Sequence, residues 1–242
     1  MGDIRMLKAV LFDLDGTLLP MDQDAFLKAY FKGLVTKLAP LGYDPKRLVD
    51  VIWKATGAMV MNQGIGTNEE VFWQCFQAAF GAESSRDLPV FEDFYRNEFQ
   101  NVRYSCGFAE EAGRIVSQLK DRGITVILAT NPLFPALATH SRIRWAGMEP
   151  EDFALVTTYE NARFSKPNPD YYREILHTMG LAPEECLMVG NDVTEDMMTR
   201  ELGMRVFLLT DCLINKEGKD IDQYPHGGFR ELRQYLDLIL ES

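Results

Sequence analysis

Short, largely apolar runs with strand character recur at 7–12, 125–129, 155–158, 186–189 and 206–209. A strand that is apolar at every position must be covered on both faces, which is the condition of a parallel sheet. From residue 104 onward the stretches between these runs have helical period instead. Phe108, Ala112, Ile115, Val116 and Leu119 make one stripe that Gly123 ends, and Tyr172, Ile175, Leu176 and Met179 make another. Pro135 suits the first turn of a helix reaching about Trp145, and a further helix is expected up to Gly203. The closing helix presents Leu232, Tyr235, Leu236, Ile239 and Leu240 on one face. Strand–helix alternation of this kind predicts an α/β fold, a doubly wound parallel sheet with helices on both faces.

Residues 21–103, between the first run and the second, contain no strand signal. Leu27, Tyr30, Phe31, Leu34, Val35 and Leu38 share a helical face before Pro40, and a second helix follows Pro45 through Val49 and Trp53. After a loose, glycine-containing loop at 59–66, Thr67 and Glu70 form a capping box that leads into Phe72, Cys75, Phe76, Ala79 and Phe80. A further helix bears Phe91, Phe94, Tyr95 and Phe99. Aromatic stripes at this spacing are expected to be packing faces. The expectation is a helical insertion with its own small core. The chain then divides into an α/β part, 1–20 plus 104–242, and an inserted helical part, 21–103, for which 242 residues are ample.

The chemistry gathers where the predicted strands end. Ligands of open parallel sheets bind beyond the carboxyl ends of the strands, where strand order reverses. The first run breaks into Asp13-Leu14-Asp15-Gly16-Thr17, with two carboxylates two residues apart, a glycine for a sharp turn, and a threonine whose hydroxyl and N–H suit an anion oxygen. Thr130-Asn131 follows the second run, Lys166 lies between a strand and a helix, and Gly190-Asn191-Asp192-Val193-Thr194-Glu195-Asp196 follows the fourth. Each cluster alone has an ordinary explanation as a loop, a cap or a dipole-compensating helix start. Together their residue types complete one another. Asp13, Asp192 and the Asp15 carbonyl suit octahedral magnesium, while a lysine, a hydroxyl and an amide suit phosphoryl oxygens.

Formal charge narrows the partners. Lys and Arg number 25 against 36 Asp and Glu, a net charge of −11, so neither nucleic acid nor an anionic membrane is expected as a partner. Cys75, Cys106, Cys186 and Cys212 lack metal-ligand spacing and fit reduced thiols in a cytoplasmic protein. No charged-then-apolar leader opens residues 1–20 and no window approaches a membrane span.

The Asp13–Thr17, Thr130-Asn131, Lys166-Pro167 and 190–196 elements, in that order, resemble the four motifs of the haloacid dehalogenase superfamily. The resemblance implies a Rossmann-like core, with residues 21–103 as a helical cap over the site. It implies a phosphatase that hydrolyses a small phosphorylated metabolite with Mg²⁺ through an aspartyl-phosphate. Asp13 would be the nucleophile and Asp15 the general acid and then base. Gly16, Thr17, Thr130, Asn131 and Lys166 would hold the phosphoryl group, and Asp13, Asp15, Asn191, Asp192 and Asp196 would serve the metal. Relatives that cleave carbon–halogen or phosphonate bonds lack an acid at the position of Asp15, which argues against both reactions. A phosphomutase acting on a sugar phosphate keeps both aspartates and remains an alternative, as does a non-catalytic regulator that binds a phosphorylated ligand. No protein partner is implied. One departure stands out: the family's fourth motif usually has an aspartate where this chain has Asn191, so Asn191 and Asp192 compete for the direct metal position. Arg142 and Arg163 are within conceivable reach of a substrate, whereas His140, His177, His226 and the polar stretch 215–228 suggest no chemistry.

Overall fold

The computed structural model describes residues 6–241 and contains six parallel strands. These are β1 (Ala9–Phe12), β2 (Thr125–Leu128), β3 (Leu155–Val156), β4 (Cys186–Gly190), β5 (Arg205–Leu209) and β6 (His226–Gly227). They lie in the order β3-β2-β1-β4-β5-β6, so the chain builds outward from β1 to β3 and then returns to the other side of β1. Val10 pairs with Val126 on one side and with Leu187 on the other. The reversal of strand order therefore falls between β1 and β4, and the segments leaving those two strands open side by side.

Burial on both faces accounts for the continuous apolar runs. Val10 and Phe12 join Val126, Leu128, Leu187, Val189, Phe207 and Leu209 on one face. Ala9 and Leu11 join Ile127, Met188, Val206 and Leu208 on the other. Helices α5 (Glu110–Asp121), α6 (Ala136–Trp145) and α8 (Phe229–Leu240) supply apolar side chains to the first cluster, and α7 (Pro169–Met179) to the second.

Residues between β1 and α5 form the helices α1 (Gln23–Leu38), α2 (Pro45–Val60), α3 (Asn68–Phe80) and α4 (Leu88–Arg96), followed by 3-10 turns to Ser105. Their starts carry the expected signals: Asp22, Asp44 and Thr67 cap α1, α2 and α3, with Glu70 completing the box. The two ends of the segment meet, since Met21 and Cys106 form an antiparallel bridge and the Gly107 N–H donates to the Pro20 carbonyl at 2.7 Å. The apolar core is not divided at this neck. One cluster runs from Val10 and Phe12 through Leu14, Leu18 and Leu19 to Phe26, Tyr30, Phe94 and Phe99. The separate small core expected for the insertion is thus replaced by one continuous core, because Leu18 and Leu19 fill the space beneath the neck.

Three local expectations also change. Pairing at 155–158 stops at Val156, after which the Thr157 hydroxyl donates to the Thr130 carbonyl at 2.7 Å. The segment up to Gly203 contains a six-residue 3-10 helix, Met197–Leu202, in place of an α-helix. In the polar stretch 215–228, His226 and Gly227 pair with Leu208 and Leu209 as an edge strand too short to leave a periodic signal. Of the α/β part expected over 1–20 and 104–242, residues 1–5 and 242 lie outside the described residues. Among the described residues no helix is long and apolar enough to cross a membrane.

Candidate active site

The Asp13 N–H still bonds the Val189 carbonyl at 2.9 Å, extending the β1–β4 ladder by one residue before the chain turns. The turn needs a glycine: Gly16 has φ +85°, and a Cβ there would lie 2.3 Å from the side-chain amide of Asn191. The loop closes on its own amides, since the Gly16 N–H donates to Leu19 at 2.8 Å and the Thr17 N–H to Leu14 at 3.2 Å. Thr17 therefore does not present its N–H to the cavity as its sequence context suggested. Its hydroxyl donates to Asn191 Oδ1 at 3.1 Å and lies 3.4 Å from Asp13 Oδ2.

Lys166 is brought to Asp13 from the loop between β3 and α7. Only 1 % of it is exposed, and its Nζ donates to Asp13 Oδ1 at 2.8 Å and to Asp196 Oδ1 at 2.7 Å. Burial alone would lower the lysine's pKa, but the two carboxylates hold it well above its ordinary value. Asp196 is itself fully engaged: Oδ2 accepts the Asp192 N–H at 3.0 Å, and Oδ1 also faces the Tyr172 hydroxyl. A Cβ on residue 190 would lie 2.1 Å from Asp196 Oδ2, so Gly190 is required for this carboxylate to tuck beneath β4. Asp192 caps the turn that follows, its Oδ1 accepting the N–H groups of Thr194 and Glu195 at 2.7 and 2.9 Å. Asn191 is buried and donates to the Cys212 carbonyl at 2.6 Å.

From β2, the Thr130 carbonyl accepts the hydroxyls of Thr157 and Tyr171, which fixes the loop behind it. Asn131 Oδ1 accepts the Lys166 N–H at 3.3 Å, and its Nδ2 donates to Glu195 Oε2 at 3.1 Å. The sequence alone gives Glu195, within the 190–196 run, no role. The structure places it on the cavity wall beside Asn131, its pKa raised by burial in spite of Lys166.

Asp15 and Arg142 form an ion pair that only the tertiary structure reveals. The Arg142 guanidinium, reaching from α6 with 1 % of its side chain exposed, donates Nη1 to Asp15 Oδ2. It lies 4.6 Å from the centre of the Phe134 ring, and its Nη2 donates to Thr139 Oγ1 at 3.2 Å. Asp15 Oδ1 is buried without a partner, and burial raises this carboxyl's pKa against the pull of Arg142 and Lys166. Arg163, by contrast, is at the surface, paired with Glu174 at 2.6 Å.

One cavity collects these groups. Asp13, Asp15, Thr130, Asn131, Asn191, Asp192 and Asp196 all line it, while Gly16, Thr17 and Lys166 stand behind its wall. Burial pushes Asp13 up to about 7, although Lys166 draws it down. Five acids (Asp13, Asp15, Asp192, Glu195 and Asp196) line this cavity, and the charges of Lys166 and Arg142 are taken up by three of them, Asp13, Asp196 and Asp15. A cation brought beside Asp13 would restore its ionised form. Among the described residues no three His, Cys, Asp or Glu side chains converge as a ready metal cage. The available donors are all oxygens: the carboxylates of Asp13 and Asp192, the Asp15 carbonyl and the Asn191 amide oxygen. Such a set fits a hard ion that keeps several waters, as magnesium does, and not a soft one.

Known proteins are similar to this chain in sequence and in architecture. The profile of the haloacid dehalogenase-like hydrolases matches residues 7–203. The glyceraldehyde 3-phosphate phosphatase of Methanothermobacter thermautotrophicus is 24% identical over 221 residues, covering 90% of this chain and 92% of that protein. The phosphoserine phosphatase of Thermus thermophilus is 32% identical over 130 residues, 53% of this chain and 48% of that protein. Among solved structures, a 2-haloacid dehalogenase from Pseudomonas syringae pv. Tomato DC3000 superposes with a TM-score of 0.62 at 21% identity, covering 96% of this chain and 99% of that one.

Proposed function

This chain belongs to the haloacid dehalogenase-like hydrolase family and is a phosphatase within it, and from that premise we propose that it hydrolyses a small phosphate monoester with Mg²⁺ through an aspartyl-phosphate. The observation that carries the reading is the 2.8 Å pair between Asp13, which lines the same cavity as Asp15, and the buried Lys166 behind it. An Asp13 oxygen attacks phosphorus, the bond from phosphorus to the leaving oxygen breaks, and the Asp15 carboxyl gives its proton to that oxygen. Water then attacks the phosphorus of the aspartyl-phosphate, Asp15 takes the water's proton back, and inorganic phosphate leaves as the Asp13 carboxylate is restored.

The raised pKa of Asp15 suits a group that must begin as an acid, and Oδ1, which has no protein partner, is the oxygen left to carry its proton. Proton transfer of this kind contributes about 10²–10⁴-fold. Lys166 neutralises Asp13 and the transferred group, and Asp196 holds Lys166 in place. Thr130 and Asn131 lie where phosphoryl oxygens would be received. Asp13, Asp192 and the Asp15 carbonyl would hold magnesium, with Asn191 Oδ1 able to add a donor beside its Thr17 contact. Bound there, the ion would supply positive charge to the phosphoryl oxygens. Both oxygens of Asp196 accept protein donors, so its part is to position the lysine. Gly16 and Thr17 shape the loop. Residues 21–103 act as the cap, closing the cavity over the leaving group. Four free cysteines suit a reducing compartment such as the cytoplasm.

Inorganic phosphate released from a panel of phosphate monoesters tests this. Wild type with magnesium is expected to turn over, chelation to stop it, and Asp13→Asn to abolish it. Undiminished turnover in that variant removes the covalent mechanism. Conversion of a sugar phosphate into its isomer, with no phosphate released, would indicate a mutase instead.

A further inference from the structure

The loop that delivers Lys166 is gripped by the helical segment one residue earlier. Ser165 is fully buried, and its hydroxyl is used in both senses: Oγ donates to the Met59 carbonyl at 3.2 Å and accepts from the Asn68 side-chain amide at 3.0 Å. Both partners belong to residues 21–103, Met59 to the last turn of α2 and Asn68 to the first residue of α3. Helix ends of this kind have backbone groups without partners inside the helix and are natural points of attachment.

The placement of Lys166 depends on both of its ends. Its Nζ lies between Asp13 and Asp196, at 2.8 and 2.7 Å, so the distances give no preference for the carboxylate that lines the cavity over the one tucked beneath β4. A flexible four-carbon stem joins this ammonium to the backbone. Where the backbone stands therefore decides how fully the charge serves Asp13 and a phosphoryl group beside it. Two bonds fix that backbone from within the α/β part: the Lys166 N–H donates to Asn131 Oδ1 at 3.3 Å, and the Ser165 carbonyl accepts the Asn168 N–H at 2.9 Å. The Ser165 hydroxyl supplies the attachment from the other side. Its loss would leave the Asn68 amide and the Met59 carbonyl each short of a partner in a buried place.

On the phosphatase reading above, we infer that Ser165 is a positioning residue for Lys166, and that the helical segment, through Met59 and Asn68, sets the lysine's place beside Asp13. Residues 21–103 then act on the phosphoryl end of the reaction as well as on the leaving group.

Orthovanadate adopts the trigonal-bipyramidal shape of a phosphoryl group in transfer, so its Kd for the magnesium-loaded protein, measured by calorimetry, reads the lysine's placement. A Kd belongs to the folded molecules and does not move when a substitution merely lowers their number. Ser165→Ala is expected to weaken vanadate by about tenfold and to lower kcat/KM for a phosphate monoester by the same factor, less than the 10²-fold that a full 1 Å misplacement can cost. Asn68→Ala, which leaves the sequence of the lysine's own loop intact, should weaken vanadate by about threefold, and the double variant should fall short of the product of the two, because both substitutions break one contact. An unchanged Kd in Ser165→Ala overturns the inference, whatever happens to the melting temperature. Weakening in Ser165→Ala with none in Asn68→Ala overturns the part given to the helical segment, as do losses that multiply in the double variant. A wild type that neither binds vanadate nor releases phosphate overturns the phosphatase reading itself, a separate outcome.

Discussion

Asp15 is aimed by Arg142, and this pair was the least readable part of the site. Arg142 shares α6 with Arg144 and His140, and nothing in their spacing shows which basic residue turns inward. The choice is made by Phe134, Thr139 and Asp15, which together supply a ring face and two acceptors for one guanidinium. Arg142→Ala is expected to lower kcat by about 10²-fold with a much smaller change in KM, since it unsettles the proton donor rather than the phosphoryl contacts. Arg142→Lys should recover part of the loss, because it keeps the charge but not the planar fork. Steady-state kinetics would show this, and a rise in KM at constant kcat would reassign Arg142 to substrate binding. Asp13 makes a second prediction. Its pKa is 3.8 in an unfolded chain and about 7 in the folded one, so the folded state retains the proton more tightly. That contribution to stability is complete below about pH 4 and is lost as the pH rises to about 7. In chelator, denaturant unfolding of wild type relative to Asp13→Asn should therefore show stability falling across that window and levelling above it, and magnesium should flatten the fall. A difference that rises with pH would mean that Lys166 alone keeps Asp13 ionised.

Among the elements, α3 carries the joint between the helical segment and the rest. The first-turn amides of a helix have no partner within it. Here the Asn68 N–H donates to Ala162 and the Glu69 N–H to Tyr159, at 2.9 and 2.8 Å. The Asn68 side chain, fully buried, accepts from Asn62 and donates to the Pro132 carbonyl and to Ser165 Oγ. One helix end thus rests on both loops that deliver Asn131 and Lys166. The Thr67–Glu70 box was legible, because its partners are three residues apart. The rest was not: Ser165 is 97 residues from Asn68, and the 59–66 loop, expected to be loose, is tied down by buried Asn62. Asn68→Ala should cost about 1–3 kcal/mol by leaving buried groups unpaired, and raise KM as the α3 end loosens. Thermal unfolding measures the first, at about 2–4 °C per kcal/mol for a chain of this size. An unchanged melting temperature would show that the joint is held elsewhere.

At the scale of the whole molecule, one apolar core passes from the sheet through Leu14, Leu18 and Leu19 into the aromatic helices. Two parts that share a core have no separate reason to stay folded. Scanning calorimetry of the metal-free protein should therefore show a single cooperative transition, and two resolved transitions would show an insertion that folds alone. The same continuity gives the aromatic stripes a second part. Their spacing marks them correctly as packing faces, yet Tyr30, Phe72 and Phe91 also wall a cavity, and periodicity does not distinguish a ring packed on a neighbour from a ring beside a void. The parallel sheet, the helical segment after its first strand and the four chemical clusters at strand ends were all determined locally, by the period of apolar residues and by residue types that must follow a strand. Which carboxylate takes the lysine, which arginine meets Asp15, and what shape of leaving group the cavity admits were decided only by tertiary packing, because each depends on side chains far apart in the chain and on space left between them, which no local pattern encodes.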